Sequence, residues 1–366
     1  MTTQWIEGDH ALREVLAKHQ GSAVVAIDTE FRRRDTFYPQ VALLQMCWGD
    51  EAYLIDPLAL SDLSDLTTLI TDERLLKVLH SPSEDFEVFE RWLGVLPRPI
   101  VDTQRAAALI GLGSAVGYRG LVEALLGIAL DKEETQSNWL ARPLSASQQA
   151  YAAADVTHLY KCWFLLRTRL IDCGRLDWVM ADSAAMRPGT RDVFQKHKSA
   201  WKLNDPQLSV LLALIAWRDE RAQSRDKPRT WILDDKGLMA IAKALPETIE
   251  QLSRVEGLAP GLVRHQGERL LSLVAASRSE APNQRPLPPL SARQRSLAKV
   301  LAESRDDVAA NLVMAADILC PNRDIEALVR RVTERDADDG ATGIGWRQSV
   351  IIEPLLQRAR QWLSEG

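Results

Sequence analysis

The first two hundred residues alternate between two hydrophobic periods. Residues 23–27 (AVVAI) form a short unbroken apolar run, the pattern of a strand covered on both faces. Residues 41–46 (VALLQM) and 52–55 (AYLI) predict further strands, with Gly49-Asp50 between them as a hairpin turn. Residues 75–80 predict a fourth strand. Apolar positions then recur at helical spacing over 84–93, 103–110, 121–126 and from Ser147 to about Cys173. Strands followed by interleaved helices predict a mixed sheet flanked by helices, an α/β layer.

Beyond residue 205 only the helical period survives. Leu208, Leu211, Leu212 and Ile215 mark one apolar stripe, Leu238, Ile241 and Ala242 a second, and Leu262, Leu270 and Leu271 a third. Pro246 and Gly257 punctuate them, so a small all-helical domain is expected over 205–281. The proline-rich stretch 282–289 (PNQRPLPP) predicts a stiff linker. Residues 290–366 are helical again, with breaks at Cys320-Pro321-Asn322 and over 336–345. Two successive helical stretches of similar size suggest a diverged duplication.

Length changes the picture little: 366 residues suit two or three domains. No run approaches the roughly 18 apolar residues of a membrane span, and residues 1–7 lack a basic and an apolar leader segment, so a cytoplasmic address is expected. Cys47, Cys162, Cys173 and Cys320 show no zinc spacing and are expected to be reduced thiols. Charge is more telling. The chain is net −5, yet residues 1–200 hold 21 basic against 27 acidic side chains. Residues 201–289 hold 13 against 11, with Lys202, Arg218, Arg221, Arg225, Lys227 and Arg229 close together. The overall acidity argues mildly against a nucleic-acid partner, because phosphate binders are usually basic, but the distribution matters more than the sum: the acidic excess lies in the first part, where a metal-binding catalytic site would place it.

Three local patterns carry candidate chemistry. Asp28-Thr29-Glu30 ends the first apolar strand, and residues i and i+2 of a strand share a face. Two carboxylates side by side need a cation between them or open solvent around them. Ser81-Pro82-Ser83-Glu84 has capping-box spacing, which puts Asp85 in the first turn of a helix, a position the dipole also favours. Tyr151 and Asp155 stand at i and i+4 on the long helix, and the three alanines between them allow close approach of other elements. Ser145 and Gln148 give that helix a capping box. Alone, each pattern also fits an ordinary strand end, helix start or helix flank.

Together and in this order they resemble the exonuclease motifs of the DEDD superfamily, in its tyrosine-bearing branch. The segments 26–31, 38–40, 54–57, 80–85, 102–104, 130–132, 137–144 and 151–155 narrow the resemblance to the ribonuclease D family. Residues Trp217-Arg218, Arg221-Ala222, Asp226-Lys227-Pro228, Ile241-Ala242, Pro246 and 255–258 resemble the HRDC domain that accompanies it. The resemblance implies a ribonuclease H-like α/β 3′→5′ exonuclease domain over 1–200, followed by two all-helical HRDC-like domains, at 205–281 and, in degenerate form, 290–366. It implies stepwise release of nucleoside 5′-monophosphates from the 3′ end of RNA, with tRNA precursors as the suggested substrate.

The same resemblance assigns roles. Two divalent ions, Mg²⁺ or Mn²⁺, are expected on Asp28, Glu30, Asp85 and Asp155, with Asp28 bridging and Tyr151 positioning the attacking water. Thr29, Phe31, Trp139 and Arg142 are expected substrate contacts, while His80 is expected to be structural. A DNA-directed exonuclease and a non-catalytic RNA-binding scaffold are the alternatives, the second weakened because all five active-site residues are present.

Overall fold

The computed structural model describes residues 2–130, 134, 137–188, 193–194, 196–334 and 345–365. Asp131, Lys132 and residues 336–344, singled out above, lie outside them. Two compact units emerge: Met1–Arg32 with Gln40–Pro188 and Leu290–Gly366, and Arg33–Pro39 with Gly189–Pro289. Among the described residues no helix is long and apolar enough to cross a membrane.

The first unit is built on a six-stranded sheet of order β1-β4-β3-β2-β5-β6. Its strands are β1 (Thr2–Ile6), β2 (Val24–Arg32), β3 (Gln40–Trp48), β4 (Glu51–Ile55), β5 (Leu76–Leu79) and β6 (Ile100–Asp102). β2, β3 and β4 run antiparallel in sequence, and Gly49 turns the predicted hairpin with a φ of 63°. β1, β5 and β6 join in parallel pairings, which makes the sheet mixed.

Helices cover both faces. They are α1 (Asp9–Lys18), α2 (Ser64–Thr71), α3 (Ser83–Leu93), α4 (Thr103–Leu109), α5 (Tyr118–Leu126), α6 (Ala146–Asp172) and α7 (Leu176–Ala185). Alternation along β2 sorts its side chains. Val25 and Ile27 join Leu44, Met46 and Phe86 in one core layer. Ala26 joins Leu43, Cys47 and Leu54 beneath Ala152, Ala153 and Val156 of α6 in the other. The fully buried Ala152 and Ala153 let α6 lie close on the sheet. Its start has the predicted capping box, Ser145 and Gln148 each bonding the other's backbone at 3.0 Å.

The expected box at Ser81 is not formed. Ser81 has a φ of 54°, and its N–H donates 2.8 Å to Asp102 Oδ1. α3 therefore starts at Ser83 with no side-chain cap. A contact 21 residues away outranked the local pattern.

Residues 290–366 fold within this same unit. α13 (Ala292–Asn311), α14 (Ala316–Leu319), α15 (Asn322–Thr333) and α16 (Glu353–Glu365) share the apolar layer of α6. Gly111 lets the chain pass Val313, whose carbonyl oxygen would lie 2.7 Å from a Cβ. Arg347 pairs with the buried Asp182 at 2.5 and 2.7 Å, and Trp346 stacks on Trp178 at 4.2 Å.

The second unit holds α8 (Asp205–Arg225), α9 (Arg229–Ile232), α10 (Asp235–Ala244), α11 (Ile249–Ser253) and α12 (Pro260–Ser277) around Leu208, Leu211, Leu238, Ile241 and Leu270. Two of the basic residues grouped between Lys202 and Arg229 are engaged internally. Arg218 is 6% exposed and donates 2.6 Å to Asp235, and Arg229 donates 2.8 Å to Asp219 while lying over Phe37.

Candidate active site

β2 delivers Asp28 and Glu30 to the face of the sheet that α6 covers. α6 brings Asp155 down onto them. One oxygen from each of Asp28, Glu30 and Asp155 can lie within 4.8 Å of the others. Asp85 is not part of that trio. It approaches from α3 and is tied in by Thr29, whose hydroxyl donates to Asp85 Oδ1 at 2.5 Å. The Thr29 side chain points to the opposite face from its two neighbours, so one tripeptide reaches three carboxylates.

Burial makes this cluster electrostatically unhappy in isolation. Desolvation first, then the neighbouring carboxylates, push Glu30 up to about 8. Asp155 rises to about 7 by burial, offset partly by the Tyr151 hydroxyl donating to it. Asp85 rises to about 6 by burial, offset partly by Thr29. Asp28 is pushed well above the carboxylate range by burial and by Asp85, Asp155 and Glu30. Hard carboxylate oxygens at this density, each resisting ionisation, are a donor set suited to a divalent cation.

That predicts a pH signature. Unfolded, these acids titrate near pH 4. Folded and without metal, they hold protons until about pH 6 to 8. Across that interval the folded chain binds more protons than the unfolded one, so the cluster's contribution to stability falls as pH rises. The difference in melting temperature between wild type and Glu30→Gln, measured in EDTA, should therefore widen from about pH 5 to pH 8, with the variant gaining. Saturating Mg²⁺ should reverse the trend, because ionised carboxylates bind it better at high pH. A difference that stays flat with pH would show that the carboxylates are not desolvated together.

Tyr151 sits one turn before Asp155. Burial and then the nearby carboxylates raise its phenol further above its ordinary value, so it keeps its proton. Trp139 packs against it at 6.0 Å and is only 4% exposed. Arg142 spends all five donors inside the fold: on both oxygens of Asp56 at 2.6 and 2.7 Å, and on the carbonyls of Ala42, Trp139 and Ala141. Thr29 is 6% exposed and its hydroxyl is committed to Asp85. Three of the four expected substrate contacts are thus internal braces. Phe31, half-buried beyond a register shift in β2, remains at the site's edge.

Sequence reasoning overlooked two groups here. Tyr118, half-buried against the core, donates its hydroxyl to the backbone oxygen of Asp155. Gln45 lies directly across from Asp28 in the β2–β3 pairing, and both its amide atoms are buried without a partner among the described residues. A lone glutamine inside the apolar run VALLQM was the available signal. His80 is held by Thr103 at 2.9 Å, and burial lowers its imidazole, in keeping with a structural part.

Comparison with known proteins agrees in both units. A 3′-5′ exonuclease family model matches residues 3–171, and an HRDC domain model matches 207–274. The chain is 38% identical to ribonuclease D of Pseudomonas paraeruginosa, over 96% of each sequence. It is 31% identical to ribonuclease D of Escherichia coli, over 97% of this chain and 98% of that one. The crystal structure of Escherichia coli RNase D, described as an exoribonuclease involved in structured RNA processing, superimposes with a TM-score of 0.88 over 99% of both chains.

Proposed function

The chain belongs to the ribonuclease D family of 3′→5′ exoribonucleases, and we propose that Asp28, Glu30, Asp85, Tyr151 and Asp155 are its catalytic group. Its substrate, in this reading, is structured RNA with a free 3′ end, tRNA precursors among them. The observation that carries it is the meeting of Asp28, Glu30 and Asp155 within 4.8 Å, with Tyr151 bonded to Asp155.

Two divalent ions, Mg²⁺ or Mn²⁺, held by the four carboxylates would neutralise the phosphate and acidify the attacking water. The protein's own groups do the rest. A water attacks the last phosphodiester in line, the bond to the 3′ oxygen of the penultimate nucleotide breaks, and a nucleoside 5′-monophosphate leaves. Tyr151 orients that water; without metal, burial and the nearby carboxylates raise its phenol above its ordinary value. Asp155 receives the Tyr151 hydroxyl and fixes its direction. Thr29 fixes Asp85, and Tyr118 fixes the helix backbone at Asp155. The Phe31 ring suits a stacking contact with the terminal base.

We read residues 1–200 as the exonuclease domain, 205–281 as an HRDC domain and 290–366 as its degenerate copy. A constant spacing of 87 residues supports the duplication. Arg218 bonds Leu233 O and Asp235, and Arg305 bonds Cys320 O and Asn322. Asp226 and Val313, also 87 apart, share the rare positive φ, at 47° and 49°.

A time course on 5′-labelled RNA tests the activity. Successive shortening by single nucleotides is expected with Mg²⁺ and none with EDTA. Matched DNA of the same sequence should be the poorer substrate. Cleavage that persists in EDTA would remove the metal-assisted reading.

A further inference from the structure

We propose that the helical second unit carries a nucleotide subsite of its own, in which an unstacked base of the RNA lies on Trp231 and an adjoining phosphate meets Arg221 and Arg225. The proposal rests on the RNA reading above and deepens it. It stands on a cavity of about 670 Å³ bounded by α8, α9 and the beginning of α12. Among its lining residues are Arg221, Arg225, Trp231, Gly257, His265 and Gln266.

Trp231 is the first reason. Its indole is 63% exposed, whereas Trp217 of the same unit is 6% exposed and part of the core. A large ring left in water at a cavity wall is a surface for something flat. The Lys227 ammonium lies 5.7 Å from the ring centre, which adds positive charge beside the same platform.

The two arginines are the second reason. They stand one turn apart on α8, so both issue from the same helix face. Neither has a carboxylate partner among the described residues, and both line the cavity. Their neighbours behave differently: Arg218 is paired with Asp235 and Arg229 with Asp219. The arginines that hold the fold together are thus paired, and the two beside the exposed indole are not. The acid in the lining, Asp234, turns its carboxylate to the Gly237 N–H at 2.7 Å as the cap of α10. The cavity is therefore cationic where it is free to bind.

An aromatic platform beside unpaired guanidiniums matches one nucleotide: a π face for the base and forked donors for a phosphate. The volume lies inside the roughly 300–1,000 Å³ typical of ligand sites. The occupant is a nucleotide of the RNA chain, in a loop or single-stranded flank.

Binding is measured on the full chain in EDTA, so that no outcome depends on hydrolysis. The probe is a fluorescent stem-loop RNA with a single-stranded 3′ tail, titrated over a salt series. Trp231→Ala is expected to weaken binding about tenfold, within the range for one lost base stack, and Trp231→Phe to restore most of it. The double variant Arg221→Gln/Arg225→Gln should weaken binding and flatten the slope of log K against log salt by about 0.7 per phosphate lost. With 5-iodouridine in the loop, irradiation should crosslink RNA to the peptide containing Trp231. Trp231→Ala binding as tightly as wild type, or Phe serving no better than Ala, would overturn it. All these variants are at exposed or half-exposed positions, and unchanged melting temperatures confirm that folding is intact. Whether wild type releases monophosphates on adding Mg²⁺ is read separately, and failure there would strike the exonuclease reading alone.

Discussion

Asp28→Asn and Asp155→Asn are each expected to lower kcat by roughly 10³-fold or more, because metal stabilisation of transition-state charge is worth several kcal/mol. RNA affinity should change little, since in the proposed mechanism these carboxylates meet the scissile phosphate and not the body of the RNA. The same variants should behave oppositely in stability. Burial and the neighbouring carboxylates oppose the charge on Asp28, and burial opposes that on Asp155. A neutral amide relieves that cost, so the metal-free variants should melt higher than wild type at about pH 8. Loss of activity with a gain in metal-free stability is the signature of a charge kept for function. A misfolded variant would lose both. A kcat within about tenfold of wild type, about 1.4 kcal/mol, would remove the residue from the catalytic group.

The sequence shows why these four residues were easy to find and their braces were not. Asp28, Glu30, Tyr151 and Asp155 sit at spacings that strand and helix periods convert directly into shared faces. The apolar runs of β2, β3 and β4 exposed the sheet in the same way. β1 escaped because Thr2, Thr3 and Gln4 are exposed on an edge strand, so the run TTQWI has no apolar alternation. β6 spans three residues, too few to show a period. Long-range partners were invisible in principle. Arg142 looked like a substrate contact because it lies in a motif segment, yet its carboxylate is Asp56, 86 residues earlier. Ser81 looked like a helix cap until Asp102 took its N–H. The letters hide the correspondence between the two helical stretches, because Asn322 stands at the offset of Asp235 and Cys320 at that of Leu233. What they share is the geometry around Arg218 and Arg305, in which carbonyl and side-chain oxygens at the same offsets satisfy the guanidinium.

Tyr151→Phe isolates one hydroxyl. The ring should still pack against Trp139, whose centre lies 6.0 Å away, so the substitution preserves shape. What goes is the O–H donated to Asp155 and whatever water that oxygen directs. For a positioned group of this kind the expected loss in kcat is on the order of 10²-fold. The pH dependence tells orientation from base catalysis. Burial and the carboxylates of Asp155, Glu30 and Asp28 keep the phenol protonated far above neutrality. A protonated phenol cannot accept the water's proton, so it contributes direction alone. At saturating Mg²⁺ the pH–rate curve of the variant should then run parallel to that of wild type from about pH 6 to 9, displaced downward and unchanged in shape. A second effect follows from the lost hydrogen bond. The Tyr151 hydroxyl holds Asp155 down, so without it that carboxyl ionises less readily and more Mg²⁺ is needed at about pH 6.5 to reach half-maximal rate. An unaltered kcat would return Tyr151 to a packing part. A rate that falls only above about pH 8, where a phenolate could begin to form, would instead make the hydroxyl a base.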